Sequence, residues 1–143
     1  VTRNAPPKTR EMKVYSLPAS AGTGDWLDSS DFETLEFSEK SIPDGAEFGV
    51  YVDGHSMEPA YHDGQIAWIK PCSVLAEGDV AVFIYDGMVY IKEYHEELPE
   101  QPEDFTDSYG VVHPNVIFRS LNRKYPDVPI HDGSYYLFGK VLN

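Results

Sequence analysis

Hydrophobic and polar residues alternate over short stretches along most of the chain, a pattern typical of β-strands. Residues 79–85 are almost continuously apolar, which indicates a strand buried on both faces. Asp86 and Gly87 then separate this run from another alternating stretch, and this spacing predicts a two-residue β-hairpin. The other predicted strands cover residues 12–18, 47–52, 65–69, 88–94, 116–121 and 135–142. Helix signals are weak, with one turn expected at residues 56–61, so the predicted fold class is mainly β with little helix.

Three stretches interrupt the strand pattern. Residues 1–11 contain two prolines and several basic side chains, which is typical of a linker. Residues 98–107 carry prolines and acids and predict a solvated loop. Residues 19–24 read Ala-Ser-Ala-Gly-Thr-Gly and predict a flexible exposed loop. Such a loop is either an ordinary connection or a segment small enough to enter a groove that binds an extended peptide.

Composition narrows the classes of function. The chain has 143 residues, which suits one domain, and a net charge of −13, which disfavours direct binding of nucleic acid. Its one cysteine, Cys72, excludes an internal disulfide and suits a reducing compartment. We find neither an apolar run long enough to span a membrane nor a signal peptide, so we expect a cytoplasmic protein without membrane partners. The chain begins at Val1, which suggests that it is part of a longer protein.

Ser56 is a candidate nucleophile because it lies in a turn directly after a predicted strand and Gly54. A side chain in such a turn can project while nearby backbone N–H groups point outward, as an acyl-transfer nucleophile beside an oxyanion hole requires. A serine that only caps the turn would occupy the same position.

Lys92 is a candidate base because it shares one face of its predicted strand with Met88, Tyr90 and Tyr94. Burial among such side chains lowers the pKa of a lysine, since desolvation disfavours the charged form. To act as a base at neutral pH its pKa must fall by about three from ~10.4, which costs on the order of 4 kcal/mol. Alternatively, its ammonium group reaches solvent or pairs with a carboxylate.

No metal site or cofactor is expected, because the histidines lack the spacing of metal ligands. They are His55, His62, His95, His113 and His131. His55 and His62 flank the Ser56 turn and invite comparison with a Ser–His pair, but the spacing provides no Asp partner for them. Cys72 follows Pro71 in a turn-like stretch and is expected to be a small packing residue instead of a nucleophile.

Taken together, these motifs resemble the LexA-like S24 peptidase domains, which are shared with phage repressors and UmuD proteins. Residues 52–59 are similar to the family's Gly-x-Ser-Met box, and residues 63–65 to its Asp-Gly-Asp turn, with Gln65 in place of the usual acid. Ser56 and Lys92 are 36 positions apart, within the family's usual range. The other similar segments are residues 78–82, 89–93, 120–126 and 138–141, so the resemblance runs from Val14 to Leu142.

The resemblance implies a fold like the LexA C-terminal domain, of the β-clip type with twisted sheets. It also implies self-cleavage, in which Ser56 Oγ attacks the carbonyl of Ala21 and neutral Lys92 takes the serine proton. Cleavage would then separate Ala21 from Gly22 in the small-residue loop. A backbone N–H at or next to Ser56 would hold the oxyanion. Gly54 and Met57 would support the turn, with Met57 packed beneath it.

The resemblance further implies a role as the C-terminal autoproteolytic and dimerisation domain of a LexA-type or phage-type transcriptional repressor. Residues 14–143 would form this domain, and residues 1–13 a linker from an N-terminal DNA-binding domain. The expected partners are a second copy in a homodimer, a RecA-type filament or another inducer or antirepressor protein, and DNA through the N-terminal domain alone. The alternatives are a UmuD-like self-processing accessory protein of a translesion polymerase and a non-catalytic oligomerisation domain. A helix-turn-helix encoded upstream would exclude the UmuD-like alternative.

Overall fold

The computed structural model describes residues 8–17, 31–98, 101, 106–111, 113–130 and 134–143. Helical structure within these ranges is limited to one 3-10 turn, Glu39–Ser41. The strands in the same ranges are β1 (Thr9–Tyr15), β2 (Phe32–Ser38), β3 (Phe48–Tyr51), β4 (Ile66–Lys70), β5 (Val80–Tyr85), β6 (Met88–Glu97), β7 (Asn115–Arg119), β8 (Val128–Pro129) and β9 (Tyr136–Val141). The prediction of a mainly-β fold with little helix is therefore confirmed.

These strands form one mixed sheet in the order β2-β1-β3-β4-β9-β5-β6-β7-β8. β1 and β3 run parallel, and every other neighbouring pair is antiparallel. The late strand β9 lies between β4 and β5, so it joins the strands from the first part of the chain to the β5–β6 hairpin. This connection brings the turn after β3 and the strand β6 into one body.

Strand β5 is buried on both faces, as its apolar run predicts. Val82 and Ile84 belong to one hydrophobic cluster, which also contains Met57. Ala81 and Phe83 belong to a second cluster on the other face. The predicted hairpin is also confirmed, because Asp86 and Gly87 both have positive φ, at 52° and 76°, as a type I′ turn requires.

The amino-terminal strands differ from the sequence prediction. β1 begins at Thr9, three residues before the predicted start, and so extends into the segment expected to be a linker. Residues 9–11 are exposed and carry no apolar alternation, but they pair with the end of β2. β2 and β8 were not predicted at all. β2 is mostly exposed, with only Leu35 and Phe37 half-buried, and β8 has only two residues, so the apolar signal of each is weak.

Two predicted loops fall wholly or mostly outside the described residues. These are residues 19–24 and most of residues 98–107. Within the described ranges, no helix has the length and apolar character needed to span a bilayer.

Candidate active site

The turn after β3 is fixed at both ends. Gly54, with φ of 88°, donates its N–H to Asp63 Oδ1 at 2.8 Å, and a side chain at this φ would be strained. Tyr61 donates its N–H to the carbonyl of Met57 at 3.0 Å, within a turn that stands where one turn of helix was expected. Met57 itself is only 1 % exposed and packs in the cluster beneath the turn, as predicted. Ser56 is therefore carried by a rigid support.

Lys92 reaches Ser56 from β6, another strand of the same sheet. It lies on β6 opposite Ala81 of β5, and only 8 % of its surface is exposed. Its Nζ donates to Ser56 Oγ at 2.7 Å and lies 6.0 Å from the centre of the Tyr90 ring. The two residues that were singled out from separate sequence patterns are thus in direct contact.

Burial lowers the pKa of Lys92 from its ordinary value of 10.5 to about 8, with the charge of Asp127 acting in the opposite direction. At pH 7 about one Lys92 side chain in ten is then neutral, against fewer than one in a thousand for a free lysine. The alternative in which the ammonium group extends into solvent does not hold, given its burial. The ion pairs found among the described residues do not include Lys92.

The Ser56–Lys92 contact lies at the junction of two cavities. The larger is a cleft of about 560 Å³, bounded on one side by residues 125–129. The smaller has about 220 Å³ and reaches Leu17. Asp53, Ser56, Tyr90 and Lys92 line both.

The backbone around Ser56 is arranged to leave N–H groups available. The carbonyls of His55 and Ser56 are both bound by Asn122, through its side-chain Nδ2 at 3.1 Å and its backbone N–H at 2.9 Å respectively. In the part of the chain that the structure describes, the N–H groups of Ser56 and Met57 donate to no backbone carbonyl. Such N–H groups are the usual donors to an oxyanion.

Three residues of the loop 120–127 belong to the site, and their roles were missed from the sequence. Asn122 holds the serine turn, and Asp127 lines the larger cleft, which Lys92 also lines. Arg123 forms a two-point ion pair with Asp127. The sequence marked this segment only by its resemblance to a family motif, because contacts that join residues 67 positions apart leave no local pattern.

The remaining candidates have other partners. His55 Nδ1 contacts Glu58 at 2.6 Å, and this hydrogen bond raises the pKa of His55, while His62 lies 3.8 Å from the same carboxylate. Neither histidine pairs with Ser56. Burial raises the pKa of the Cys72 thiol, and Cys72 packs against the second hydrophobic cluster. Among the described residues we find no group of side chains suited to holding a metal ion.

The predicted cleavage site, Ala21 and Gly22, lies outside the described residues. The chain on either side of it is placed. Leu17 lines the smaller cavity next to Ser56, and Ser16 donates its N–H to the carbonyl of Asp31 at 3.1 Å. The segment that carries the predicted bond therefore leaves and rejoins the sheet at neighbouring points.

A buried serine–lysine contact on a mainly-β scaffold, at the junction of two clefts, is the arrangement of a serine peptidase-like site. Comparison with protein-family models gives a match to the family described as Peptidase S24-like over residues 13–102, a range that includes Ser56 and Lys92. The chain belongs to this family. The resembling segments at residues 120–126 and 138–141 lie beyond the matched range, and no curated protein matches the chain.

Proposed function

We propose that this chain is a self-cleaving serine peptidase domain in which Ser56 and Lys92 cut the bond between Ala21 and Gly22. The observation that carries the proposal is the 2.7 Å contact between Lys92 Nζ and Ser56 Oγ in a buried site. A lysine whose pKa is about 8 can accept the serine proton near neutral pH, whereas a solvated lysine cannot.

The reaction follows from this contact. Neutral Lys92 takes the Oγ proton as Ser56 attacks the carbonyl carbon of Ala21, and the N–H groups at Ser56 and Met57 stabilise the oxyanion. The Lys92 ammonium then donates its proton to the nitrogen of Gly22, the peptide bond breaks, and Ala21 remains as an ester on Ser56. A water molecule that gives a proton to Lys92 attacks the carbonyl carbon of this ester. The bond to Ser56 Oγ breaks, the Lys92 ammonium returns the proton to Oγ, and Ala21 leaves with a free carboxylate.

The cleaved segment is supplied by the same chain. Ala21 is four residues beyond Leu17, and four extended residues span at most ~14 Å. Because Leu17 already borders the smaller cavity, a short tether suffices to bring the bond to Ser56. Tethering replaces a bimolecular encounter with an intramolecular one, which is a large part of the rate advantage available to such a site.

We further propose that the domain is the dimerising C-terminal part of a LexA-type or phage-type repressor, which acts in the cytoplasm. Family membership supports this role, and the charge of −13 disfavours direct contact of this domain with DNA. Cleavage would separate the DNA-binding and dimerising parts and so weaken operator binding. The inducer would be a RecA-type filament or another protein. A helix-turn-helix encoded upstream would support this role, and its absence there would favour the UmuD-like alternative.

The peptidase proposal is tested by intact mass during incubation at alkaline pH. We expect fragments 1–21 and 22–143 from the native chain and none from Ser56→Ala or Lys92→Ala. Lys140→Ala is a matched control, because Lys140 and Lys92 pair with the same Ala81 from opposite sides of β5, and it should cleave normally. Cleavage that survives Ser56→Ala, or that occurs at another bond, contradicts the mechanism.

A further inference from the structure

Both oxygens of the Asp127 carboxylate are bound by one arginine. Arg123 Nη1 donates to Oδ1 at 2.7 Å, and Arg123 Nη2 donates to Oδ2 at 3.1 Å. The backbone N–H of Ser120 also donates to Oδ1, at 3.2 Å. Such a two-point pair fixes both the position and the orientation of a carboxylate. The carboxylate lines the same cleft as Lys92.

Arg123 also closes the loop that carries Asp127. Its Nη1 donates to the carbonyl of Ser120 at 3.1 Å, and Ser120 Oγ donates to the carbonyl of Pro126 at 2.7 Å. Ser120 is fully buried, whereas the Arg123 side chain is 65 % exposed. The guanidinium that binds Asp127 is therefore largely exposed to solvent, whereas Lys92 is buried.

The Asp127 charge works against the proposed chemistry. An anion near Lys92 favours the ammonium form, and the Asp127 charge does raise the pKa of Lys92 against the effect of burial. The hydrogen bond from Arg123 holds the pKa of Asp127 below its usual range, so this carboxylate is charged at neutral pH. An opposite charge held close to this carboxylate would limit its influence on Lys92.

We propose that Arg123 is a positioning residue, which binds the Asp127 carboxylate in a closed pair and so prevents it from becoming the counter-ion of Lys92. The proposal rests on the peptidase function proposed above. In this proposal, the loop of residues 120–127 favours the neutral form of Lys92. The same loop also holds the serine turn through Asn122.

Other titratable groups also line the cavities that contain Lys92, and the variants below leave them in place. Asp53 and His55 come from the serine turn, Tyr85 and Asp86 from the end of β5, Tyr90 from β6, and Tyr125 from the same loop as Asp127. His55 is bound to Glu58, and Asp127 is the charge that acts on Lys92 most directly.

The test is the pH profile of self-cleavage. In Arg123→Gln we expect the midpoint to move up by about 0.5 pH unit, which slows cleavage about threefold at pH 7, while the rate at high pH is retained. In Asp127→Asn the midpoint should move down. The double variant should follow Asp127→Asn, because Arg123 acts through Asp127. Lys124→Gln removes a neighbouring exposed cation and should leave the midpoint unchanged.

A purely structural role for Arg123 gives a different result. It would lower the rate at every pH without moving the midpoint, and this outcome overturns the proposal. An equal upward shift when Arg123→Gln is added to Asp127→Asn also overturns it, because Arg123 would then act as a general surface charge. Arg123→Lys, which keeps the charge but loses the two-point geometry, should give an intermediate midpoint and guards against a folding defect in Arg123→Gln.

A second measurement separates failure of this proposal from failure of the peptidase function. The side-chain carbon signals of Lys92 can be titrated by NMR in the native, Arg123→Gln and Asp127→Asn chains, whether or not they cleave. The proposal expects the titration midpoint to rise in the first variant and to fall in the second. Absence of both shifts overturns it even if cleavage between Ala21 and Gly22 is found.

Discussion

Lys92 is buried, and burial disfavours the charged form of its side chain. A neutral lysine is the form that can accept a proton, as the proposed mechanism requires. Its burial lowers its pKa to about 8, and the same burial destabilises the fold whenever the side chain is protonated. The sequence already indicated this cost, because an ammonium-bearing residue shares its strand face with aromatic side chains. The structure adds that the buried Nζ atom of Lys92 lies 2.7 Å from Ser56 Oγ.

Replacing Lys92 should therefore stabilise the protein while it abolishes cleavage. Because the pKa of Lys92 is lower in the folded chain than in the unfolded chain, the unfolded chain binds the extra proton between about pH 8 and 10.5. Stability of the lysine-containing chain then rises with pH in this range. In a Ser56→Ala background, Lys92→Met should raise the free energy of unfolding by on the order of 2 kcal/mol at pH 7, with little gain left at pH 10.5.

Urea denaturation at the two pH values measures this difference. If the free energy of unfolding rises equally at both pH values, the gain comes from better packing of methionine. If it falls at pH 7, burial of the Lys92 ammonium does not destabilise the fold.

Two residues of the site could be predicted from the sequence, and three could not. Ser56 and Lys92 are visible because each conflicts with its local pattern, a serine after a strand and a cation on an apolar face. Asn122, Arg123 and Asp127 belong to a polar loop and look ordinary. Their roles come from contacts with distant parts of the chain, which no local pattern encodes.

Among the strands and loops, β5 and β6 are the most predictable pair. β5 is almost continuously apolar, and the Asp-Gly turn between the strands contains residue types that tolerate positive φ. β2 and β8 were missed for the opposite reason. Their residues are exposed or few, and only pairing with β1 and β7 makes them strands. The site depends on the predictable elements for Ser56 and Lys92, and on the unpredicted loop 120–127 for its positioning.

Asn122 connects that loop to the serine turn, and its removal should affect catalysis more than folding. Asn122→Ala deletes the hydrogen bond to the carbonyl of His55 but keeps the backbone bond to Ser56. We expect a loss of about 1 kcal/mol in stability and about tenfold slower cleavage, with the pH midpoint unchanged. Cleavage rates across pH measure this, with Asn115→Ala on β7 as the control. An unchanged rate, or a shifted midpoint, would contradict the assignment.

Gly139 of β9 lies against the backbone of β4, and it should tolerate no side chain. A Cβ there would lie 2.5 Å from the backbone oxygen of Lys70, which cannot move without disturbing the sheet. At Gly49 the nearest atom, at 2.8 Å, is in the side chain of Ile66, which can shift. In a Ser56→Ala background, Gly139→Ala should cost about 3 kcal/mol and Gly49→Ala about 1 kcal/mol. Equal losses in urea denaturation would show that backbone crowding is not the deciding factor.

The whole molecule combines a peptidase site with its proposed substrate on one chain. The hydrogen bond between Ser16 and Asp31 holds both ends of the intervening segment at one edge of the sheet, and Leu17 borders the cavity beside Ser56. The range matched by the family model includes Ser16, Asp31, Ser56 and Lys92. We therefore propose that the chain cuts itself within one molecule. The short connection from Leu17 determines which peptide bond reaches Ser56.

The most direct test follows intact mass against time at pH 9 over a hundredfold range of protein concentration. Cleavage within one molecule predicts that fragments 1–21 and 22–143 appear with a first-order rate constant that does not change with protein concentration. It also predicts that an equimolar mixture of the native chain with Ser56→Ala leaves the Ser56→Ala chain intact at the lowest concentration. A rate constant that rises in proportion to concentration, or a native chain that stays uncut between Ala21 and Gly22, would contradict it.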